Sequence, residues 1–278
     1  MTDAELVALL QWALPRLGLR WAGFRNVRAT VRKRVARRIA ALGLRDVAAY
    51  RARLEADPEE WSVLSTMCRI PISRFYRDRA VYDAIVADVL APLAAAAARE
   101  ARALRVWSAG CASGEEPFTI AIAWQVDLAP RFPGVALEIH ASDVDPIMIE
   151  RAERGVYLTG SLRELPDRFR AAGFDAGDAP GTVRVKPEIR AAVTFRCEDV
   201  RASMPEGLFD LVLSRNLAFT YFDEATQRDF ALRVGERLRP GGALVVGAHE
   251  DLGPRAFQTA GLVPTASRCI ARKPDTPA

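Results

Sequence analysis

Two adjacent glutamates at the end of a glycine turn are the residues from which chemistry can first be read in this chain. The run Arg105-Val-Trp-Ser-Ala-Gly110-Cys-Ala-Ser-Gly114-Glu-Glu-Pro117 joins a short apolar strand, 105–109, to a helix expected to begin just beyond Pro117, since proline is pre-organised for a first helical turn. Gly110 and Gly114 allow φ > 0 and let a ligand lie against bare backbone. The G-x-x-x-G spacing is neither the dinucleotide fingerprint nor a phosphate loop ending in Gly-Lys-Ser/Thr. Glu115 and Glu116 would repel a pyrophosphate, so the turn suits a ligand with a cationic part. Such a turn also occurs for packing alone. Cys111 has no histidine nearby in sequence to activate it, and reads as a small residue beside a ligand rather than a nucleophile.

S-adenosylmethionine, with its sulfonium and ammonium groups, is the candidate that fits this turn. In an open parallel sheet the ligand lies over the carboxyl ends of the strands, so polar residues at those ends come next. Asp143 ends a second strand and is placed to take ribose hydroxyls. Asp145 is the better cap for a helix starting at Pro146, although either aspartate would serve there. Asp199, after a third strand, could accept from an adenine amino group, and Asn216 follows a fourth.

The elements that must position these residues alternate. Strands are expected over 136–141, 193–197, 209–214 and 243–247, with helices over 146–154 and 224–238. The last helix is expected to be closed by Pro240-Gly-Gly. The near-continuous apolar run at 209–214 suits a strand covered on both faces. The pattern predicts an α/β fold with a doubly wound sheet over 105–278. Before it, residues 1–85 read as a small all-helical domain, and 86–104 as an alanine-rich helical linker. The segment 158–190 breaks the rhythm and reads as an inserted subdomain.

Half the residues are hydrophobic, ample for a core, and the acidic amino terminus is unlike a signal peptide. The longest apolar stretch, 89–98, is too short to span a bilayer and contains Pro92. The expectation is a soluble, cytoplasmic protein. Four scattered cysteines and two histidines offer neither a disulfide framework nor a metal site. Eight cations (Arg25, Arg28, Arg32, Lys33, Arg34, Arg37, Arg38, Arg45) fall between 25 and 45 with no acid among them, although the net charge is only +4. Val27, Val31, Val35, Ile39 and Leu42 recur at helical spacing as the buried face of this basic helix. Unbalanced cations repel, which suits docking of nucleic acid, an anionic membrane surface or an acidic protein helix; a plain solvated face is the other reading.

Four motifs in order resemble the chemotaxis-receptor methyltransferases, the CheR-type protein-glutamate O-methyltransferases, over residues 23–272. They are Ser73-Arg-Phe-Tyr-Arg77-Asp78, the 107–117 turn, Ala141-Ser-Asp143-Val-Asp, and Ser214-Arg-Asn216-Leu-Ala-Phe-Thr-Tyr221-Phe-Asp with Pro240-Gly-Gly and Gly247-Ala-His-Glu250. The resemblance implies a Rossmann-like class I methyltransferase sheet behind a helical domain, with S-adenosylmethionine as donor and S-adenosylhomocysteine as product. It implies catalytic roles for Arg77 and Tyr221, and cofactor contacts from Ser73, Arg77, Gly110, Glu116, Asp143, Asp199, Arg215 and Asn216. It implies that the basic helix docks on an acidic protein substrate. Tyr221 also reads as a core tyrosine, flanked as it is by Phe219 and Phe222.

A glutamate side chain is already ionised at neutral pH, so its attack on a methyl sulfonium requires no general base. Several positions depart from the family pattern. Pro71 stands for an asparagine, Ser73 for threonine, Asp199 for asparagine, and Leu-Ala-Phe-Thr precedes Tyr221 where Val-x-Ile is commoner. These departures fit an orphan branch whose substrate need not be a chemoreceptor; a small carboxylic acid as acceptor, or a module that binds the donor without turnover, are the alternatives. Nucleic-acid methylation is disfavoured, because neither an Asp/Asn-Pro-Pro-aromatic run nor a Pro-Cys nucleophile is present.

Overall fold

The computed structural model describes residues 1–250, 258 and 260–275. The remaining positions, including the last three of the expected 105–278 domain, lie outside the described residues. The chain divides into two compact units, one of residues 1–70 with 218–227 and one of residues 71–217 with 228–278.

The first unit is helical. Its opening helix, Asp3–Ala13, starts at a capping box in which Thr2 and Glu5 bond each other's backbone. The basic helix, Arg28–Ala41, buries Val31, Val35 and Ile39, while Val27 and Leu42 are only half-buried. Most of its cations are engaged inside this unit. Arg38 forks onto Glu60, with Nε 2.9 Å and Nη2 2.6 Å from the two carboxylate oxygens. The Tyr50 hydroxyl donates to the same carboxylate at 2.9 Å. Arg34 donates to the carbonyls of Met67 and Arg69, at the carboxyl end of the helix Pro58–Met67. Arg28 and Arg32 face Asp3, and Arg45 faces Asp46. The eight cations are therefore not an unbalanced stripe. Of these eight, Arg25, Lys33 and Arg37 are exposed and make no acidic or carbonyl contact from their side chains among the described residues.

Glu60 is 2% exposed, and the Arg38 hydrogen bond holds its carboxyl below the ordinary glutamate range despite burial. A lowered folded-state pKa contributes stability above the unfolded value, which is lost as pH falls through the folded one. Glu60→Leu strands the buried Tyr50 hydroxyl and should cost about 1–3 kcal/mol. Urea denaturation should show that deficit at pH 7 and a smaller one near pH 4; an equal deficit at both would refute the charge argument.

The second unit is a seven-stranded sheet beside a three-stranded one. In chain order the strands are β1 (Leu104–Ala109), β2 (Leu137–Asp143), β3 (Val156–Leu158), β4 (Phe174–Ala176), β5 (Thr182–Val185), β6 (Val193–Cys197), β7 (Phe209–Ser214), β8 (Leu238–Val246), β9 (Val263–Pro264) and β10 (Ile270–Arg272). The large sheet runs β6-β2-β1-β7-β8-β10-β9. The first five of these are parallel, and β10 is antiparallel to both neighbours. Strand order reverses between β1 and β7, which is where an open α/β sheet binds its ligand.

The 158–190 segment, expected to break the alternation, carries β4 and β5, which with β3 form a small antiparallel sheet of order β3-β5-β4. The expected closure at Pro240-Gly-Gly is corrected. β8 already begins at Leu238, and its pairing with β7 jumps from Phe209↔Leu238 to Leu211↔Ala243, so the Pro-Gly-Gly forms an irregularity inside the strand. The helix after the glycine turn starts at Glu115, earlier than expected, because Pro117 still falls in the first turn, where no intrahelical donor is needed.

The helix Arg79–Arg99, longer than the expected linker, is the one helix among the described residues long and apolar enough by length and composition to cross a bilayer. Its Tyr82, Ile85, Val89, Leu90, Leu93, Ala94 and Ala97 instead belong to the main core cluster, with Leu104, Val106, Leu211 and Val245 from the sheet.

Candidate active site

The glycine turn is tied to the strand beside it. Gly110 and Cys111 N–H both donate to the Ser142 carbonyl, at 2.8 and 3.0 Å. Ala112 N–H donates to Asp143 Oδ2 at 2.9 Å, while Asp143 Oδ1 accepts from Asp145 N–H at 2.9 Å. Asp143 thus braces the turn through both of its carboxylate oxygens. Asp145 caps the helix Pro146–Arg154 through Ile147 N–H. Gly110 has φ +81°, and a Cβ there would lie 2.7 Å from Leu217 Cδ2. A side chain here would be strained by the positive φ and would force the Leu217 side chain to shift.

Both glutamates are buried at the helix start, Glu115 at 4% and Glu116 at 9% exposure. Glu116 accepts from Ser108 Oγ at 2.7 Å, and Arg215 Nη1 lies 3.5 Å away. Burial pushes both carboxyls above the ordinary glutamate value. Arg215 and Ser108 offset part of this for Glu116, and the hydroxyls of Ser113 and Ser73 part of it for Glu115. Burial also pushes the Cys111 thiol up, which removes the thiolate that a nucleophile would need.

Arg215 is the hub of the cluster. Its Nη2 donates to the Arg77 carbonyl at 2.8 Å and to Asp78 Oδ2 at 2.9 Å, and its guanidinium lies 4.7 Å over the buried Tyr82 ring. Arg77 Nη1 donates to the Ile72 carbonyl at 3.0 Å, curling the 72–77 loop. Asn216 N–H donates to Glu250 Oε2 at 2.7 Å, which also takes Gly247 N–H at 2.7 Å and so ties the loop after β7 to the one after β8. Among the described residues five non-glycines have positive φ, and four of them (Tyr76, Asp78, Ala112, Asn216) lie in these loops. Strained backbone of that kind costs about 1–3 kcal/mol a residue and persists only where the surroundings over-determine it.

The structure thus gathers Arg77, Gly110, Glu116, Asp143, Arg215 and Asn216 on the loops after β1, β2 and β7 and the 72–78 segment. Ser73 lies beside Glu115. Asp199 stands two residues beyond β6, where Glu198 N–H bonds the Asp143 carbonyl. Tyr221 belongs to the other unit. There its ring centroid is 5.1 Å from that of Phe24, and its carbonyl accepts from Arg20 N–H at 2.8 Å. The Arg20 guanidinium holds the Phe219 and Thr220 carbonyls. Asp78, Tyr82, Ser108 and Glu250 were not singled out from sequence. Asp78, Ser108 and Glu250 sit inside quoted motifs, but nothing local marks Tyr82.

The buried carboxylates fit a cationic ligand, since an ammonium or sulfonium would compensate charge that burial disfavours. Strand order 3-2-1-4-5-7-6 with one antiparallel strand, a glycine turn after the first strand and acids at its rim together define a class I S-adenosylmethionine-dependent methyltransferase. The "CheR methyltransferase, SAM binding domain" family matches residues 72–265, and the "CheR methyltransferase, all-alpha domain" matches residues 25–65. The chain belongs to the CheR methyltransferase family. A chemotaxis protein methyltransferase of Klebsiella aerogenes is 32% identical over 259 residues, 90% of this chain and 84% of that one. An uncharacterised 104.1 kDa protein of Rhodobacter capsulatus is 34% identical over 225 residues, 80% of this chain but only 23% of its own length. The N-methyltransferase NodS of Bradyrhizobium japonicum with S-adenosylhomocysteine is similar at a TM-score of 0.38 and 16% identity, over 72% of this chain and 90% of that one.

Because the Glu116 carboxyl lies above the ordinary glutamate value, a cationic ligand must displace its proton at low pH. S-adenosylhomocysteine affinity should therefore fall as pH drops through that raised value, by up to about tenfold per unit for one proton. Glu116→Gln should weaken binding at pH 7.5 by about 10–100-fold and flatten the profile. Titration calorimetry across pH 5–8 reads both, and an unchanged profile in the variant would remove Glu116 from the cofactor site.

Proposed function

We propose that this protein transfers a methyl group to the side-chain carboxylate of a glutamate in a protein substrate, in the cytoplasm, a reading in line with its similarity to proteins named chemotaxis protein methyltransferase. The observation that carries the reading is the buried pair Glu115 and Glu116, with Arg215 bridging Glu116 to Asp78 and to the Arg77 carbonyl. S-adenosylmethionine supplies an electrophilic methyl on a cationic sulfur.

The chain's own residues hold and orient. Glu116 compensates the donor's cationic end, Asp143 takes ribose hydroxyls, Asp199 accepts from the adenine amino group, and Ser73 and Asn216 complete the donor contacts. Gly110 keeps the turn bare. Arg77 presents paired donors to the incoming carboxylate, and Tyr221 orients it. The acceptor arrives ionised, so these residues have no proton to remove. Attacking anion and sulfonium neutralise each other, so exclusion of water lowers the barrier. The protein substrate docks through an acidic helix on the outward cations Arg25, Lys33 and Arg37, which are not consumed inside the helical unit.

Incubation of cell lysate with methyl-labelled donor, followed by mild base, tests the product class. Carboxyl methyl esters release the label as volatile methanol. Label that stays on protein through base treatment would overturn the reading.

A further inference from the structure

Asp199 does not stand alone beyond β6. Arg201, two residues on, wraps it. The Arg201 backbone N–H donates to Oδ1 at 2.9 Å, Nε lies 3.0 Å from Oδ1 and 3.2 Å from Oδ2, and Nη2 donates to Oδ2 at 2.7 Å. Both side chains are about 30% exposed, 29% for Asp199 and 30% for Arg201. The Asp199 carbonyl accepts from Ala202 and Ser203 N–H, both at 2.9 Å, and Arg233 Nη1 holds the Arg201 carbonyl at 2.9 Å. The 199–203 loop is therefore a rigid turn with its acid already forked by its own arginine.

We propose that Arg201 is a positioning residue for adenine recognition, holding Asp199 as a neutralised, fixed hydrogen-bond acceptor for the adenine amino group. The inference rests on the reading that Asp199 meets the adenine. An uncharged amide at position 199 could accept from that amino group without a counter-ion. A carboxylate covered by a neutral purine is stripped of water, which is costly unless the charge is paired. The fork supplies the pairing, and it also stops the side chain from rotating away. An aspartate in this place thus carries its counter-ion within the same turn.

The experiment is calorimetry on the full-length protein with two probes. S-adenosylhomocysteine carries the amino group, and S-inosylhomocysteine carries an oxygen acceptor there instead. The wild type should reject the inosyl probe by about 100-fold or more, because two acceptors would face each other. Arg201→Met should weaken S-adenosylhomocysteine by about tenfold, and Arg201→Lys, which keeps the charge without the fork, by less. The double variant Asp199→Asn with Arg201→Met should recover to within about threefold of wild type and accept the inosyl probe better, because an amide can turn its NH2 to the oxygen.

Wild-type affinity in Arg201→Met, with Asp199→Ala weakened, would overturn the proposal while leaving the Asp199 reading intact. Unchanged affinity in Asp199→Ala would overturn both. A double variant as weak as Arg201→Met alone would show that Arg201 acts through something other than the charge of Asp199. Should Arg201→Met fail to fold, Arg201→Lys and the double variant carry the same comparison.

Discussion

Replacing Arg215 with methionine should destabilise the second unit by about 3–5 kcal/mol and abolish detectable methyl transfer. The guanidinium is 4% exposed and is shared between Asp78 and Glu116. Removing it leaves two acids without their cation, one of them deeply buried. It also releases the Arg77 carbonyl, and with it the left-handed Asp78 at φ +63°. Adding Asp78→Asn and Glu116→Gln to Arg215→Met should restore much of the stability, since breaking a buried pair costs mainly through the charge left behind. Activity should not return, because the segment bearing Arg77 is no longer clamped. Thermal and urea denaturation read the first effect and the base-labile methyl assay the second. A single variant as stable as wild type would show that Arg215 is not the electrostatic keystone of these loops.

Arg77→Ala should have nearly the opposite signature. Its backbone is held by Arg215 and its side chain bonds only the Ile72 carbonyl among the described residues, so the melting temperature should stay close to that of wild type. Under the proposed role, the rate of methyl transfer should fall by about 100-fold or more, the scale expected when an acceptor is no longer held in line. Arg77→Lys should recover only part of this, because an ammonium offers a point charge in place of a planar fork. The loss should appear in kcat more than in S-adenosylhomocysteine affinity measured by calorimetry. Wild-type turnover in Arg77→Ala would remove Arg77 from the acceptor site.

Much of the sheet was legible because buried parallel strands announce themselves as continuous apolar runs. β7, buried throughout, has the expected ends; so does β6, although it is an edge strand that alternates Val-Thr-Phe-Arg and buries no residue, and the helix Pro146–Arg154 is bounded by a capping aspartate, a proline and Gly155. The three-stranded sheet was not legible. Its strands are three or four residues long; β4 and β5 meet across the short 177–181 connection, but β3 finds β5 only by pairing Leu158 with the distant Thr182. The basic helix misled for a related reason. Asp3, Glu60 and the carbonyls of Met67 and Arg69 lie outside the 25–45 window, so a run of unbalanced cations on paper is largely balanced in space.

Residue types and their spacing alone determined the family, the donor and the sheet, because glycine turns, terminal acids and apolar periodicity are local consequences of backbone geometry and burial. Tertiary structure alone decided which charges are spent on the fold and which stay available to a ligand. Arg215, Glu116 and the Asp78–Tyr82 stretch converge from three separate segments, and the fork of Arg201 on Asp199 depends on a particular turn. Charge neutralisation is a matter of a few ångströms in three dimensions, and order along the chain does not set those distances.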